Sequence, residues 1–203
     1  MAASALLNLP DKSFIFVDAN IFVYGISGQS GDCRKFLDRC LREEVAGITL
    51  FETVNEVTHR LMVAEALSKG LITRANAKRL RENFELISTL TDYWKNVERL
   101  LALNLLFLPV NEAIVRGANV ERVAAGLLTN DSMVVSCMRE YGLSLLATND
   151  ADFERVAGVT VFKPTELPRL EESNGRLRPY LPGARCRLSL AAARLACRSR
   201  RAT

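Results

Sequence analysis

Four acidic side chains of this sequence stand where they could meet in one chemical site. Asp18 directly follows the apolar stretch FIFV, and Asp150 comes shortly after LSLLAT. Glu56 lies in the first two turns of the helix predicted after AGITLF, and Asp131 opens the helix predicted before LSLLAT. In open parallel sheets the functional crevice lies beyond the carboxyl ends of the strands, so these carboxylates are expected to converge at one edge.

Such a gathering of carboxylates predicts a divalent metal centre. Neighbouring like charges raise one another's pKa and destabilise the fold, and a hard cation removes that penalty. Mg²⁺ takes oxygen ligands, and one or two such ions can generate a hydroxide and stabilise an in-line phosphoryl displacement. Each acid alone also has a structural interpretation, since Asp18 could be a turn former, Asp131 a helix-dipole partner and Glu56 a solvated helix residue.

The elements that would position these acids alternate along the chain. Apolar and β-branched runs predict strands, and apolar residues at helical spacing predict helices between them. The strands are predicted at residues 14–17, 46–51, 106–110, 143–148 and 159–164. This alternation indicates an α/β protein, a three-layer α/β/α sandwich around a central, mainly parallel sheet that is covered on both faces.

Capping residues and glycines predict where several helices begin and end. Gly70 is expected to stop the helix that carries Glu56, and Thr73 is expected to cap the next one. Gly117 is expected to interrupt the helix within NEAIVRGANVERVAAGLL. The helix within TNDSMVVSCMREYG is expected to have Thr129 or Asn130 as its N-cap.

Charge and chain-breaking residues divide the sequence into a body and a tail. The 203 residues carry a formal net charge of +4, but eight arginines and two acids fall after residue 170, which leaves the body mildly acidic. We predict a domain at residues 13–165, followed at 166–203 by a Pro- and Gly-containing linker and an Arg-rich tail, either disordered or a short helix. The tail is either a handle for a polyanion or a solvated segment without a specific partner.

Composition argues against several classes of protein. The longest apolar run, LLALNLLFLPV, is interrupted by Asn104 and falls short of the roughly 20 residues that a membrane span needs. No basic residue precedes the few apolar ones at the N-terminus, so a secretory signal is not expected. The five cysteines form no CxxC pair and indicate reduced thiols. We therefore expect a cytoplasmic protein without membrane association.

The acidic motifs and their order resemble those of the PIN-domain nucleases, which include the VapC-type ribonuclease toxins of bacterial toxin–antitoxin pairs. IFVDANIFVYG, ITLFETVNEV and TNDSMVVSCMREYGLSLLATNDADF carry the resemblance, which spans roughly residues 13–165. It implies a Mg²⁺- or Mn²⁺-dependent endoribonuclease that cleaves single-stranded or structured RNA. It also implies a homodimer, with an antitoxin as a candidate protein partner.

The resemblance also assigns residues to the site. The family's catalytic and metal-binding acids match Asp18, Glu56, Asp131 and Asp150. Its supporting polar residues match Asn20, Thr148 and Asn149. Glu56 matches better than Glu52 because an apolar residue follows it, as in the family. Asp152 is an additional candidate ligand, although that position in the family more often supports the turn.

Three alternatives to a nuclease fit parts of this pattern. One is an inactive or regulatory PIN-like scaffold that binds RNA or protein through the tail. Another is a haloacid-dehalogenase-type phosphatase with Asp18 as nucleophile, but it would need an acid where Asn20 stands. The third, a receiver-type phospho-acceptor, would need a lysine where Thr148 and Asn149 stand, and Lys163 is distant.

The remaining candidate residues are weaker. His59 has no second histidine with which to form a zinc site. Side chains that could border an RNA path are Arg60, Lys78, Arg79, Arg81, Lys95 and Arg99. Aromatic residues that could stack bases are Tyr24, Tyr93 and Trp94, of which Trp94 also fits a core or interface position. The sequence leaves open the RNA that is cut, the oligomeric state, and the roles of residues 71–103 and of the tail.

Overall fold

The computed structural model describes residues 3–73, 77–82 and 84–166, with a six-stranded sheet at their centre. The strands are β1 (Ser4–Ala5), β2 (Phe14–Val17), β3 (Ala46–Leu50), β4 (Leu105–Leu108), β5 (Leu145–Ala147) and β6 (Thr160–Lys163). They lie in the order β1, β6, β5, β2, β3, β4, and each neighbouring pair is parallel. The central pair therefore joins a strand near the start of the chain to one near the end of the domain.

Helices cover both faces of this sheet. They are α1 (Ala19–Ile26), α2 (Gly31–Leu41), α3 (Phe51–Ser68), α4 (Ala77–Glu82), α5 (Phe84–Ser88), α6 (Asp92–Leu101), α7 (Glu112–Ala125) and α8 (Thr129–Glu140). Short 3₁₀ turns occupy Leu6–Asn8 and Ala151–Arg155. The predicted α/β sandwich with a parallel sheet is confirmed. Within the described residues, no helix is both long and apolar enough to cross a membrane.

Strand β2 shows why the sheet is covered on both faces. Ile15 and Val17 pack into a core with residues of α1, α2, α3 and α6, whereas Phe16 packs into a second core with residues of α7 and α8. Because successive side chains of a strand point to opposite faces, an all-apolar strand needs a helical layer on each side. Both layers run up to the carboxyl end of β2, where Asp18 follows.

Helix α3 carries Glu56 and is held firmly against its neighbours. Val57 and Leu61 are buried one turn apart, which is the spacing of a packed helix face. Glu65 is also buried, and its carboxylate accepts hydrogen bonds from the backbone N–H groups of Thr91 (2.9 Å) and Tyr93 (2.6 Å). The carboxylate of α3 thus satisfies the free N–H groups at the start of α6 and joins the two helices.

The end of α3 agrees with the prediction made from Gly70. The helix stops at Ser68, and Gly70 has a φ of +67°, the left-handed conformation that favours glycine after a helix. The predicted capping role of Thr73 concerns residues 74–76, which lie outside the described part of the chain. Residues 167–203 of the predicted linker and tail (166–203) lie outside it as well.

The predicted interruption of α7 at Gly117 is wrong, because the helix runs unbroken through that residue. A Cβ atom at Gly117 would lie 2.4 Å from Oγ of Ser136, which belongs to α8. Ser136 in turn donates a hydrogen bond from Oγ to the carbonyl of Ile114 at 2.8 Å. The glycine therefore serves the close approach of two helices rather than a break in one.

We expect Gly117→Ala to lower the free energy of unfolding by about 1–3 kcal/mol, because overpacking outweighs the gain in helix propensity. Urea denaturation followed by circular dichroism measures the effect. Asn119→Ala is the matched control, since Asn119 is an exposed residue of the same helix and should change stability by less than about 0.5 kcal/mol. Equal stabilities for the two variants would contradict the packing argument.

Three further elements differ from the predictions. Strand β1 pairs with β6 through Ser4 and Phe162, ahead of the predicted domain start at residue 13, and is too short to show a periodic pattern. Helix α1 was not predicted because its sequence, ANIFVYGI, is apolar on nearly all sides. Helix α8 begins at Thr129, so Leu128 is the N-cap, without a side-chain hydrogen bond, and neither Thr129 nor Asn130 caps the helix.

Candidate active site

Asp18 is fixed by both elements that it joins. Its backbone N–H donates to the carbonyl of Ala147 on β5 at 3.0 Å, which continues the sheet one residue beyond β2. Its Oδ1 accepts a hydrogen bond from the backbone N–H of Ala19 at 2.7 Å, so the carboxylate caps α1. The strand end and the helix start together direct this acid to the carboxyl edge of the sheet.

Thr148 is the centre of a hydrogen-bond network around Asp18. Its side chain is fully buried, and its hydroxyl donates to Oδ2 of Asp18 at 2.7 Å. The same hydroxyl oxygen accepts from Nδ2 of Asn20 and from the backbone N–H of Asp150, both at 3.0 Å. Asn20 also donates to Oδ2 of Asp18 and accepts from the N–H of Asn149 at 3.1 Å. The structure therefore brings all the predicted supporting residues together.

Glu56 reaches the same edge from α3, and two side chains hold it. Its Oε1 lies 2.5 Å from Nη2 of Arg60, one helical turn later. Its Oε2 accepts a hydrogen bond from Nδ2 of Asn130 at 3.2 Å. Asn130 immediately precedes Asp131 on α8, so this contact sets Glu56 beside that acid. No feature of the local sequence predicts this contact between Asn130 and Glu56.

A cleft of about 330 Å³, its open mouth included, lies between α3 and α8. Its lining consists of Asp18, Leu50, Glu52, Thr53, Glu56, Asn130, Asp131, Met133 and Val134. Three of the four predicted catalytic acids thus line one cleft, and Glu52 joins them at its rim. Asp150 lies outside this lining and contacts the cluster through Thr148.

The electrostatics of Asp18 reflect both burial and neighbouring charge. Burial raises the pKa of its carboxyl group to about 6, against the hydrogen bonds from Thr148 and Ala19, which lower it. The carboxylates of Glu56 and Asp131 raise this pKa further. A cation bound next to the Asp18 carboxylate would stabilise its ionised form.

Asp131 connects the two halves of the acidic cluster. Partial burial raises the pKa of its carboxyl group, and the carboxylates of Asp150, Glu56 and Asp152 raise it further. The guanidinium of Arg60 acts in the opposite direction. The acids Glu56, Asp131, Asp150 and Asp152, which come from separate segments, are therefore close enough to interact electrostatically.

The donor set suits a hard divalent cation. Every charged group that raises the pKa of Asp18 or Asp131 is a carboxylate, and carboxylate oxygens are the ligands that Mg²⁺ takes in proteins. Within residues 3–73, 77–82 and 84–166, no three His, Cys, Asp or Glu side chains stand close enough to share one ion. The chemistry of the site thus fits a metal, with its carboxylates more widely spaced than a shared ion would hold them.

Comparison with known proteins identifies the family. The sequence model of the PIN domain matches residues 15–159. The chain belongs to the PIN-domain family. The resemblance inferred from the acidic motifs is confirmed.

Individual PIN-domain relatives are distant in sequence. Ribonuclease VapC6 of Methanocaldococcus jannaschii is 22% identical over 156 residues, which cover 74% of this chain and 97% of that protein. Among solved structures, VapBC2 from Rickettsia felis bound to a promoter DNA fragment has a TM-score of 0.48 and 14% identity, covering 74% of this chain and 98% of its own. A toxin-antitoxin complex from Klebsiella pneumoniae has a TM-score of 0.42 and 17% identity, covering 72% and 95%.

Asp152 supports the turn that carries Asp150 and is not among the residues that line the cleft. Its carboxylate pairs with Nη1 of Arg155 at 2.7 Å, and its backbone N–H donates to Oδ1 of Asp150 at 2.8 Å. Arg155 also donates to the carbonyls of Ala125 (2.6 Å) and Gly126 (3.0 Å) at the end of α7. Arg155, which the sequence did not single out, therefore ties the Asp150 turn to α7.

The weaker candidates are dispersed over the PIN domain. His59 is exposed, and Lys95 and Arg99 engage Asp92 and Asn96 on their own helix. Trp94 is half-exposed, so it is not a core residue. Tyr24 and Tyr93 pack against the core, Arg81 is exposed, and the side chains of Lys78 and Arg79 lie outside the described part. Of the basic candidates whose side chains the structure describes, Arg60 is the one that contacts a predicted catalytic acid.

Proposed function

We propose that this PIN-domain protein is an endoribonuclease that hydrolyses RNA phosphodiester bonds with Mg²⁺ or Mn²⁺. The observation that carries the proposal is the convergence of acids from separate segments at the carboxyl edge of the sheet, where burial, assisted by the carboxylates of Glu56 and Asp131, raises the pKa of Asp18 to about 6. The match to the PIN-domain family, and to a ribonuclease of which 97% is covered, supports this activity.

Each acid has a proposed part in holding the cation. Asp18, Glu56 and Asp131 would ligate it from the cleft, and Asp150 would ligate it directly or through water. When bound, such an ion polarises a phosphate oxygen and lowers the pKa of a water molecule. Thr148 keeps the Asp18 carboxylate in one orientation by donating to its Oδ2.

Two further side chains orient Glu56. Arg60 contacts one of its carboxylate oxygens and Asn130 the other, so the rotation of the carboxylate is restricted. The guanidinium of Arg60 lowers the pKa of Asp131, and it offsets part of the repulsion that an RNA phosphate would meet at the cleft.

Metal dependence is the direct test of this proposal. The purified full-length chain should cleave total RNA in the presence of Mg²⁺ or Mn²⁺, stop when EDTA is added, and resume when the cation is restored in excess. Gel electrophoresis of the products measures the cleavage. Cleavage that persists in EDTA would contradict the metal mechanism, and a folded protein without cleavage in any cation would favour the PIN-like scaffold.

We also propose that the protein acts as a homodimer and as the toxin partner of an antitoxin. Exposed apolar side chains support a protein contact, because Val120, Val123 and Leu128 lie on or just after α7 and Val123 is 82% exposed. Light scattering of the purified chain, alone and with a candidate antitoxin, measures both assemblies. A strictly monomeric chain would contradict the homodimer.

We place this activity in the cytoplasm. Cys33, Cys40 and Cys137 are free and buried, which suits a reducing compartment. Fractionation of cells that produce the protein at its natural level tests the location.

A further inference from the structure

Phe51 and Phe107 form a stacked aromatic pair at the end of the sheet. Their ring centroids lie 5.3 Å apart with an interplanar angle of 30°. Phe107 packs partly against the core, whereas Phe51 is 54% exposed. The outer ring is thus supported from below by a second ring and remains open to solvent.

This pair lies beside the acidic cleft. Phe16 of β2 pairs with Ile48 of β3, so Asp18 stands opposite Leu50, and Phe51 is the next residue along the chain. Paired strands are about 4.8 Å apart, which places the start of α3 close to Asp18. Leu50 and Glu52, the two neighbours of Phe51, both line the cleft. Phe51 itself is not part of that lining, and its ring lies against Phe107 of β4, so it stands beside the cleft on the side of β3 away from β2.

The charge of the cleft favours an uncharged contact with the substrate. Asp18, Glu52, Glu56 and Asp131 line it, and they repel the phosphates of RNA. Among the described residues, the cation that contacts the acidic cluster, Arg60, is already engaged by Glu56. A nucleobase carries no charge, and stacking on an aromatic ring holds it without a phosphate contact.

We propose that Phe51, supported by Phe107, stacks an unpaired base of the RNA substrate on the β4 side of the candidate active site. This inference rests on the proposed ribonuclease function and assigns a base-binding residue to it. Bases within an RNA duplex are stacked on one another and paired, so they do not reach such a ring. The platform therefore selects loops and single-stranded segments.

Binding in a background that does not cleave isolates this contact. Full-length Asp18→Asn protein is titrated with a short fluorescent unstructured RNA and with a duplex of the same sequence. Adding Phe51→Ala should weaken single-strand binding by roughly tenfold and leave duplex binding unchanged. Phe51→Tyr should restore binding because it keeps an aromatic face, and Phe51→Leu should not. A fluorescent adenine analogue in the RNA should lose emission when it binds protein with Phe51, because stacking quenches it, and should keep its emission with the Phe51→Leu variant.

Phe14→Ala is the matched control. Phe14 is 50% exposed, similar to Phe51, but it lies at the amino end of β2, on the opposite edge of the sheet from Asp18. Its replacement should leave RNA binding unchanged. Equal effects of the two alanine variants, or no effect of Phe51→Ala, would overturn the proposal. Wild-type binding by Phe51→Leu would also overturn it, and would indicate an apolar contact with a protein.

These outcomes separate the two proposals. Because binding is measured without cleavage, Phe51-dependent binding by a wild-type protein that never cleaves would reject the ribonuclease and keep the stacking contact. Metal-dependent cleavage with an unchanged KM in Phe51→Ala would reject the stacking contact and keep the ribonuclease.

Discussion

Replacing Asp18 with Asn is expected to lower metal-dependent RNA cleavage by about two to three orders of magnitude without destabilising the fold at neutral pH. The carboxylate is a proposed metal ligand, and a neutral amide is a poor substitute for it. The pKa of Asp18 rises from 3.8 to about 6 on folding. The folded state therefore binds the proton more tightly than the unfolded state, and ionisation makes the wild type less stable as the pH rises through this window.

The Asn variant lacks this titration, so its stability should depend less on pH between 3.8 and about 6 than that of the wild type. At neutral pH it should equal or exceed the wild type in free energy of unfolding, by up to about 3 kcal/mol if its remaining hydrogen bonds form. Thermal unfolding at a series of pH values measures stability, and initial cleavage rates measure activity. A variant that loses stability and activity in parallel would indicate a structural role for Asp18 instead.

Asp32→Asn is the matched control for a buried aspartate outside the cleft. Oδ2 of Asp32 accepts from the backbone N–H of Thr165 at 2.8 Å and from its hydroxyl at 2.6 Å, and these bonds lower the pKa of Asp32. The stability that they contribute is present above the unfolded pKa and is lost as the pH falls through the folded one. The control should lose about 1–2 kcal/mol of stability and keep its cleavage rate.

Thr148→Val is expected to have the second-largest effect, lowering cleavage by about 10- to 100-fold. Valine matches threonine in shape but lacks the hydroxyl that donates to Asp18 and accepts from Asn20 and from the N–H of Asp150. Because the site is fully buried, the groups left without this partner should also lower the free energy of unfolding by about 1–3 kcal/mol. Cleavage kinetics and urea denaturation measure the two effects.

Thr148→Ser provides the control for the hydroxyl. Serine keeps the oxygen and loses only a methyl group, so it should recover most of the activity that valine removes. If valine and serine behave alike, the network around Asp18 does not position the carboxylate. A wild-type rate in Thr148→Val would lead to the same conclusion.

Much of this site could be predicted from local sequence. Asp18 and Asp150 follow apolar runs, and the carboxyl ends of parallel strands meet at one edge whatever the details of packing. Thr148 and Asn20 were expected beside these acids from the family motifs. The hydrogen bonds between Thr148 and Asn20 require β2 to lie beside β5. The alternation of strands and helices predicts a parallel sheet but does not give the order of its strands.

Other contacts leave no local trace. Asn130 is 74 residues from Glu56, and nothing around either residue shows that α8 will come near α3. In the sequence, Gly117 resembles a helix breaker. Its actual role is to leave room for the side chain of Ser136, which belongs to the next helix and cannot be recognised from the residues around Gly117. Long-range contacts of this kind override local propensity, so the sequence predicted the elements more accurately than their close approaches.

The pairing of β2 with β5 also determines when the proposed active site can assemble during synthesis of the chain. Asp18 leaves the ribosome early, but its partner Thr148 is translated 130 residues later. Until that segment emerges, a nascent chain carries isolated acids and no assembled catalytic centre. The proposed ribonuclease would therefore be unable to attack the messenger and the ribosome that are making it until nearly the whole domain has been released.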